Sequence, residues 1–149
     1  MISRIIVPSD GSKTAQKAAA YAVDLAKQLK ASIIALSVID KRSFSAQTVP
    51  VWETARHTIE PIEDYLREAA KGYAGEIKEL CNKNGVASKI LVKMGHPVEE
   101  IVKAAKRSKA NLIVMGSHGR SALSATILGS VSYGVIHNDK SIPVLIVRN

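Results

Sequence analysis

Short aliphatic runs alternate with longer segments of helical character along this chain, and this alternation limits the fold more than any other feature. The runs that predict strands lie at residues 4–7, 33–39, 86–93, 112–115 and 144–147. The segments that predict helices lie at residues 13–30, 58–83, 97–109 and 131–138. Strands that alternate with helices favour a parallel sheet with right-handed crossovers and helices on both faces. The sequence therefore predicts an α/β fold with an open five-stranded parallel sheet, as one domain over residues 1–149.

The distribution of apolar residues and cysteine favours a cytoplasmic protein. No apolar run reaches the roughly 18 residues that a membrane-spanning helix needs, so no membrane partner is expected. The first residues lack the pattern of a signal peptide. Cys81 is the single cysteine and can form no disulfide within the chain, which suits a reducing compartment.

The charge and the histidines narrow the function classes further. The four histidines show none of the spacings of a zinc site, so a zinc enzyme is not expected. The formal net charge of +8 indicates either affinity for a polyanion or simply solubility. The chain has neither interleaved aromatic residues nor a helix-turn-helix signal. Specific nucleic-acid binding is therefore not expected.

Two loops that follow strands carry residues suited to ligand binding. They occupy residues 8–12, after the first strand, and residues 116–120, after the fourth. In an open parallel sheet, ligands bind beyond the carboxyl ends of the strands, where the strand order reverses. If the first and fourth strands are neighbours, the two loops face each other across one crevice.

The second loop has the parts that an anion site requires. Its glycines, Gly116 and Gly119, let backbone N–H groups approach a ligand closely. Ser130 is expected to cap the short helix, whose positive end suits a phosphate. His118 and Arg120 can donate charge-assisted hydrogen bonds.

Asp10, in the first loop, is an acceptor suited to ribose hydroxyls or to a metal ion bound by phosphates. The familiar phosphate loops are absent, because residues 11–14 (Gly-Ser-Lys-Thr) lack the upstream glycine of a P-loop and no Gly-x-Gly-x-x-Gly follows the first strand. The spacing of the glycines alone therefore does not name the ligand.

Five segments together resemble the universal stress protein family, and specifically its ATP-binding branch. They are residues 8–12, 38–40, 115–120, 128–132 and 143–147, and the resemblance runs over the whole chain. It implies the strand order 3-2-1-4-5 of the Rossmann-like adenine-nucleotide alpha-hydrolase type. It also implies bound ATP, or AMP or ADP carried through purification, with Mg²⁺ or Mn²⁺.

The same resemblance implies a role for particular residues. Asp10 would hold the ribose or the metal region, the backbone of Val38 would meet the adenine, and Pro8 would shape the floor of the pocket. The residues expected around the ribose and the phosphates are Met115, Gly116, Ser117, His118, Gly119, Arg120, Gly129, Ser130, Val131 and Ser132.

The expected function is a nucleotide-dependent regulator or sensor in stress response, with at most slow hydrolysis, because the two loops offer no evident base to orient a water molecule. The alternatives are an adenine-nucleotide-dependent enzyme, either an ATPase or an adenylyl transferase, and a basic nucleic-acid-binding protein.

Residues 144–147 lie at the sheet edge in the implied order, and both the exposed edge and the resemblance predict a homodimer through this strand. Residues 40–57 are expected to form a long loop, in which Trp52 either covers the pocket or packs beneath the loop.

Overall fold

The computed structural model describes residues 1–40, 42, 55–119 and 127–148, with the backbone alone for residues 55–61. Strands and helices alternate along the chain, as predicted. In chain order they are β1 (Arg4–Pro8), α1 (Lys13–Leu29), β2 (Ser32–Asp40), α2 (Ala55–Lys83), β3 (Ser88–Gly95), α3 (Pro97–Arg107), β4 (Leu112–Gly116), α4 (Ser130–Asn138) and β5 (Val144–Val147).

Several element boundaries differ from the prediction by one to three residues, and local chemistry accounts for two of them. Strand β3 begins at Ser88 rather than at Val86, because the Val86 N–H donates to the carbonyl of Cys81 (2.9 Å) and so closes the end of α2. Helix α2 begins at Ala55, inside the segment predicted as a loop. Alanine and arginine are strong helix formers, so a helix extends through Ala55 and Arg56 at little cost.

The sheet is parallel throughout and has the order β3-β2-β1-β4-β5, which confirms the predicted fold. Strand β1 pairs with β2 on one side and with β4 on the other, so that Ile5 lies opposite both Ile33 and Leu112. The chain order therefore reverses between β1 and β4. The loops that follow these two strands consequently start side by side at the carboxyl edge of the sheet.

The core consists of two layers of apolar side chains, one on each face of the sheet. Alternation along β1 sends Ile5 and Val7 to the layer beneath α1 and α2, and Ile6 to the layer beneath α3 and α4. All three side chains are fully buried. Burial of a side chain of this size stabilises the fold by about 1.5–3 kcal/mol, so β1 contributes to both layers at once.

Helix α1 packs against the sheet through a row of small residues. Ala18, Ala22 and Ala26 are buried at helical spacing, and they let the helix backbone approach the strands closely. The helix begins with a side-chain cap, since the Ala15 N–H donates to Ser12 Oγ (3.2 Å). Among the described residues, no helix is long and apolar enough to cross a membrane.

The contact between α3 and α4 depends on a glycine, which leads to a stability prediction. A Cβ atom at Gly134 would lie 2.6 Å from Val98 Cγ2, whereas one at Gly72, inside α2, would have nothing within 4 Å. Alanine is favoured over glycine inside a helix by about 1 kcal/mol, and an overpacked contact costs about 1–3 kcal/mol. We expect Gly72→Ala to raise the free energy of unfolding and Gly134→Ala to lower it.

Urea unfolding followed by circular dichroism measures both changes on one scale. Gly72→Ala is the matched control, because it makes the same substitution in a helix without the contact. An equal gain in stability in the two variants would mean that the α3–α4 contact has room for a methyl group.

Candidate functional site

A cavity of about 630 Å³ opens at the carboxyl edge of the sheet, above β1, β2 and β4 and beside α2. Its volume lies within the range of about 300–1,000 Å³ that is typical of ligand pockets. Within the described part of the chain, all the expected site residues line this cavity except Ser117. Ser117 does not line the cavity, and Arg120 lies outside the described residues, as does Trp52. The two loops therefore meet across one crevice.

The loop after β1 forms a tight turn that fixes the position of a carboxylate. Asp10 Oδ1 accepts a hydrogen bond from the Ser12 N–H (3.0 Å). Gly11 has φ +79°, a conformation that glycine adopts freely. A Cβ atom there would also clash with Tyr73 Cε1, so the ring of Tyr73 packs directly on the turn. The positive φ therefore favours glycine at position 11, and a larger residue there would also have to displace the ring of Tyr73.

Glycines of the second loop and at the cap of α4 allow segments of this chain to approach one another. A Cβ atom at Gly119 would lie 2.5 Å from Asp10 Oδ2, and one at Gly129 would lie 2.9 Å from the Cα of His118. A Cβ atom at Gly116 would lie 3.0 Å from the backbone of Thr14. The sequence predicted that glycine lets the backbone approach a ligand. The structure adds that these glycines hold the two loops against each other.

Hydrogen bonds tie the start of α4 to the end of β4. The buried hydroxyl of Ser132 donates to the carbonyl of Gly116 (2.7 Å), and the Gly129 N–H donates to the carbonyl of Ser117 (2.7 Å). Thr14 Oγ1 donates to the carbonyl of His118 and joins α1 to the same loop. These bonds fix the first turn of α4 at the rim of the cavity.

Ser117 and His118 interact with each other beside this rim. Ser117 Oγ lies 3.0 Å from His118 Nδ1, and the Ser117 N–H donates to the carbonyl of Val147 (3.1 Å). Ser117 therefore orients the imidazole from behind the cavity, while His118 itself lines the cavity.

The predicted cap of α4 by Ser130 is wrong. Gly129 occupies the capping position, Ser130 is the first residue of the helix, and no side chain caps it. Gly129 has no side chain with which to accept a hydrogen bond, so the first N–H groups of α4 receive no side-chain acceptor at the cap position.

The N-termini of three helices lie at the cavity, and they differ in what surrounds them. Helix α1 is capped by the hydroxyl of Ser12. Helix α3 has two carboxylates, Glu99 and Glu100, in its first turn. Helix α4 has neither a side-chain cap nor an acidic residue in its first turn. The positive end of a helix dipole attracts anions, so the start of α4 is the best anion-binding position of the three.

Within the described lining, the side-chain charges are mainly negative. Asp10 and Asp40 supply carboxylates, no lysine or arginine is present, and His118 is the only residue that can become a cation. Hydrogen bonds from Arg42 lower the pKa of Asp40 below its usual value, with a closest N–O distance of 2.7 Å, so Asp40 remains charged at neutral pH. Any attraction for an anion in this part of the lining comes mostly from backbone N–H groups and from the positive, N-terminal end of the α4 dipole.

The sequence reasoning missed the wall that α2 contributes to the cavity. Tyr65, Ala69 and Tyr73 line it from one face of the helix, where they recur every four residues. Tyr73 packs on Gly11, whereas Tyr65 is 74% exposed at the rim. The four-residue spacing was visible in the sequence, but it does not show which helix face meets the cavity.

The described residues contain no group of three or more histidine, cysteine or acidic side chains that could hold a metal ion. Asp10 and Asp40 are the acidic residues among those described in the cavity lining. A metal ion in this part of the site would therefore take most of its ligands from a bound molecule or from water.

Comparisons with known proteins give a consistent result. The sequence model of the Universal stress protein family matches residues 1–148. Universal stress protein MJ0531 of Methanocaldococcus jannaschii is 34% identical over 148 residues, which cover 99% of this chain and 83% of the relative. The solved structure of MJ0577, a universal stress protein of the same organism, superposes on this chain with a TM-score of 0.82 at 32% identity. The superposition covers 100% of this chain and 97% of the MJ0577 chain. A universal stress protein solved in complex with cAMP has a TM-score of 0.67 at 25% identity, with 99% and 97% of the two chains covered.

Proposed function

This chain belongs to the universal stress protein family, and we propose that it binds ATP in the cavity and acts as a nucleotide-dependent regulator in stress response. The observation that carries the proposal is the uncapped, acid-free start of α4 at the rim of a cavity of nucleotide size. A related protein of the family is known in complex with cAMP, which is also an adenine nucleotide. The nucleotide-binding unit would extend over residues 1–149.

Each part of the nucleotide has a candidate partner in the cavity. The phosphates would accept hydrogen bonds from the first N–H groups of α4, whose dipole favours negative charge. His118 lines the same region, and Arg120 follows it in the sequence. Asp10 would accept from the ribose hydroxyls or bind the metal ion. The adenine would lie against the backbone of Val38, in the more apolar part of the cavity.

Mg²⁺ or Mn²⁺ fits this arrangement as a companion of the phosphates. Mg²⁺ in nucleotide sites is held by one or two carboxylates together with phosphate oxygens and water. Asp10 can supply one such carboxylate, and no cluster of ligands is needed within the described lining. The ion would screen the phosphates from the carboxylates of the cavity.

The proposed regulatory role, rather than ATP hydrolysis, is supported by the weakness of the side chains that could act as a general base toward water. Asp40 is hydrogen-bonded to Arg42, and a carboxylate whose pKa is lowered is a poor acceptor of a proton from water. Asp10 Oδ1 accepts from the backbone, and His118 Nδ1 lies against Ser117 Oγ. A site of this kind is suited to binding a nucleotide and poorly suited to hydrolysing it.

We place this function in the cytoplasm, where ATP is available and where Cys81, which is buried and forms no disulfide, stays reduced.

The first prediction concerns affinity for ATP with Mg²⁺. Gly119→Val places a branched side chain against the carboxylate of Asp10, and Asp10→Ala removes an acceptor worth about 1.5–3 kcal/mol when charged. We expect Asp10→Ala to weaken binding roughly 10- to 150-fold, and Gly119→Val to weaken it as well. Calorimetric titration measures these changes.

Asp24→Ala is the matched control, since Asp24 is an exposed carboxylate of α1 that does not line the cavity. It should bind ATP like the original protein. Thermal unfolding of each variant separates lost binding from lost folding. Folded Asp10→Ala and Gly119→Val proteins with unchanged affinity would contradict the proposed site.

The second prediction concerns turnover. Phosphate release from ATP should be far slower than the roughly 10 s⁻¹ that is the median for enzymes, because the described lining of the cavity offers no strong base. A steady-state assay on protein freed of contaminating ATPases tests this. Several turnovers per second that disappear in Ser130→Ala would overturn the regulatory role and favour the enzyme alternative.

We also infer a homodimer through β5. This strand lies at the edge of the sheet, where it pairs with β4. Its four apolar residues are all half-buried: Leu145 and Val147 pack on one core layer, and Val144 and Ile146 on the other. An antiparallel partner strand would satisfy the outward backbone groups and cover these side chains in a two-fold contact.

Light scattering at micromolar concentration tests the dimer. The expected mass is twice the 16.0 kDa of one chain. The measurement on the unaltered protein is the decisive one, because Leu145→Lys or Ile146→Lys would also disturb the core of the single chain. A mass near 16.0 kDa would count against the interface.

A further inference from the structure

The opposite edge of the sheet carries a basic groove that the nucleotide site does not use. This groove, of about 200 Å³, lies between β3 and α3. Four cationic side chains line it: Lys89, Lys93, Lys103 and Arg107. Among the described residues that line the groove, Glu100 is the only carboxylate, and it lies 3.8 Å from the Lys103 ammonium. The groove therefore has a marked excess of positive charge.

The cations of the basic groove form two rows. Lys89, Leu91 and Lys93 alternate along β3 and so share one face, with the two ammonium-bearing residues about 13 Å apart. Lys103 and Arg107 are four residues apart on α3 and share the helix face that lines the groove. In the described part of the chain, no carboxylate lies within 4.0 Å of the charged groups of Lys89, Lys93 or Arg107. These charges are available to a partner.

Strand β3 is also an edge that can accept another strand. It is the terminal strand of the sheet and pairs with β2 among the described strands. The outward N–H and C=O groups of an edge strand form a template for pairing. Lysines on such an edge repel a second copy of the same edge, so an occupant must carry the opposite charge.

From this combination of a strand edge, two rows of cations and an apolar residue between the lysines, we propose that β3 and α3 form a docking surface for an acidic, extended segment of a partner protein. The segment adds a strand beside β3. Its residues opposite Lys89 and Lys93 are acidic, and the residue opposite Leu91 is apolar. The recognition pattern is therefore acidic–x–apolar–x–acidic. Backbone hydrogen bonds supply part of the affinity, and the alternating side chains supply the specificity.

This surface is independent of the other proposed contacts. Strands β3 and β5 are the two opposite edges of the sheet, so a homodimer through β5 leaves β3 accessible. The four cations of the basic groove do not line the large cavity. Tests of docking on β3 and tests of ATP binding are therefore independent of each other.

The experiment uses the full chain and a fluorescein-labelled peptide with Glu-Thr-Leu-Thr-Glu at its centre. Fluorescence anisotropy at about 0.15 M salt, where exposed charges are screened beyond about 8 Å, measures affinity. Hydrogen exchange measures backbone pairing. We expect saturable binding and slower exchange of the outward amides of β3, without change in β5. A peptide with Lys-Thr-Leu-Thr-Lys at its centre should not bind.

Paired variants isolate the contribution of the groove. Lys89→Gln with Lys93→Gln should weaken binding roughly 2- to 30-fold, from the loss of two cross-strand charge pairs. Lys27→Gln with Lys78→Gln removes two exposed charges outside the groove and should leave the affinity unchanged. Lys89→Glu with Lys93→Glu should reverse the preference in favour of the lysine peptide.

Four results would overturn the proposal. They are an absence of peptide binding at millimolar concentration, equal weakening in the two glutamine pairs, binding without protection of β3, and preferential binding of a 20-nucleotide poly(U) RNA in place of the peptide. The last of these would identify the groove as a polyanion site. Failure of the ATP titrations would leave the peptide result unaffected.

Discussion

The pairing of β1 with β4 is the contact on which the rest of the structure depends. Ile5 lies opposite Leu112 and Ile6 opposite Ile113, although more than a hundred residues separate them along the chain. This pairing reverses the strand order at the centre of the sheet. The carboxyl ends of two unconnected strands therefore lie side by side, and the helices that follow them diverge to opposite faces. The cavity is the space that this divergence leaves.

Close packing of the two loops turns that space into a defined site. Gly119 allows the carboxylate of Asp10 to approach the second loop, and Gly129 allows the start of α4 to pack on the backbone of His118. The hydroxyl of Ser132 then anchors α4 to the end of β4. An anion-binding helix end is useful only when it is held rigidly at the ligand. Gly119, Gly129 and Ser132 therefore position the parts of the candidate site relative to one another.

The two edges of the sheet have opposite chemical character. Strand β5 presents four half-buried apolar residues, whereas β3 presents lysines that α3 supplements with further cations. An apolar edge favours pairing with a second copy, while a cationic edge excludes a second copy and favours an acidic strand. The positive net charge, which the sequence left open between solubility and affinity for polyanions, is thus concentrated in part on one edge. The large cavity, by contrast, has a mainly acidic described lining.

The sequence by itself determined the kinds of element and their order, because hydrophobic periodicity and turn residues are local signals. The segments at residues 8–12 and 115–120 also located the candidate site through their resemblance to the family. The resemblance, rather than periodicity, gave the strand order, since pairing between distant parallel strands leaves no local trace. Only the tertiary structure decided that Gly129 rather than Ser130 occupies the cap position of α4, that Tyr65 faces the cavity and that Lys89 and Arg107 share one groove. Each of these depends on where a crossover places a helix over the sheet, and that placement is set by packing between residues far apart in the chain.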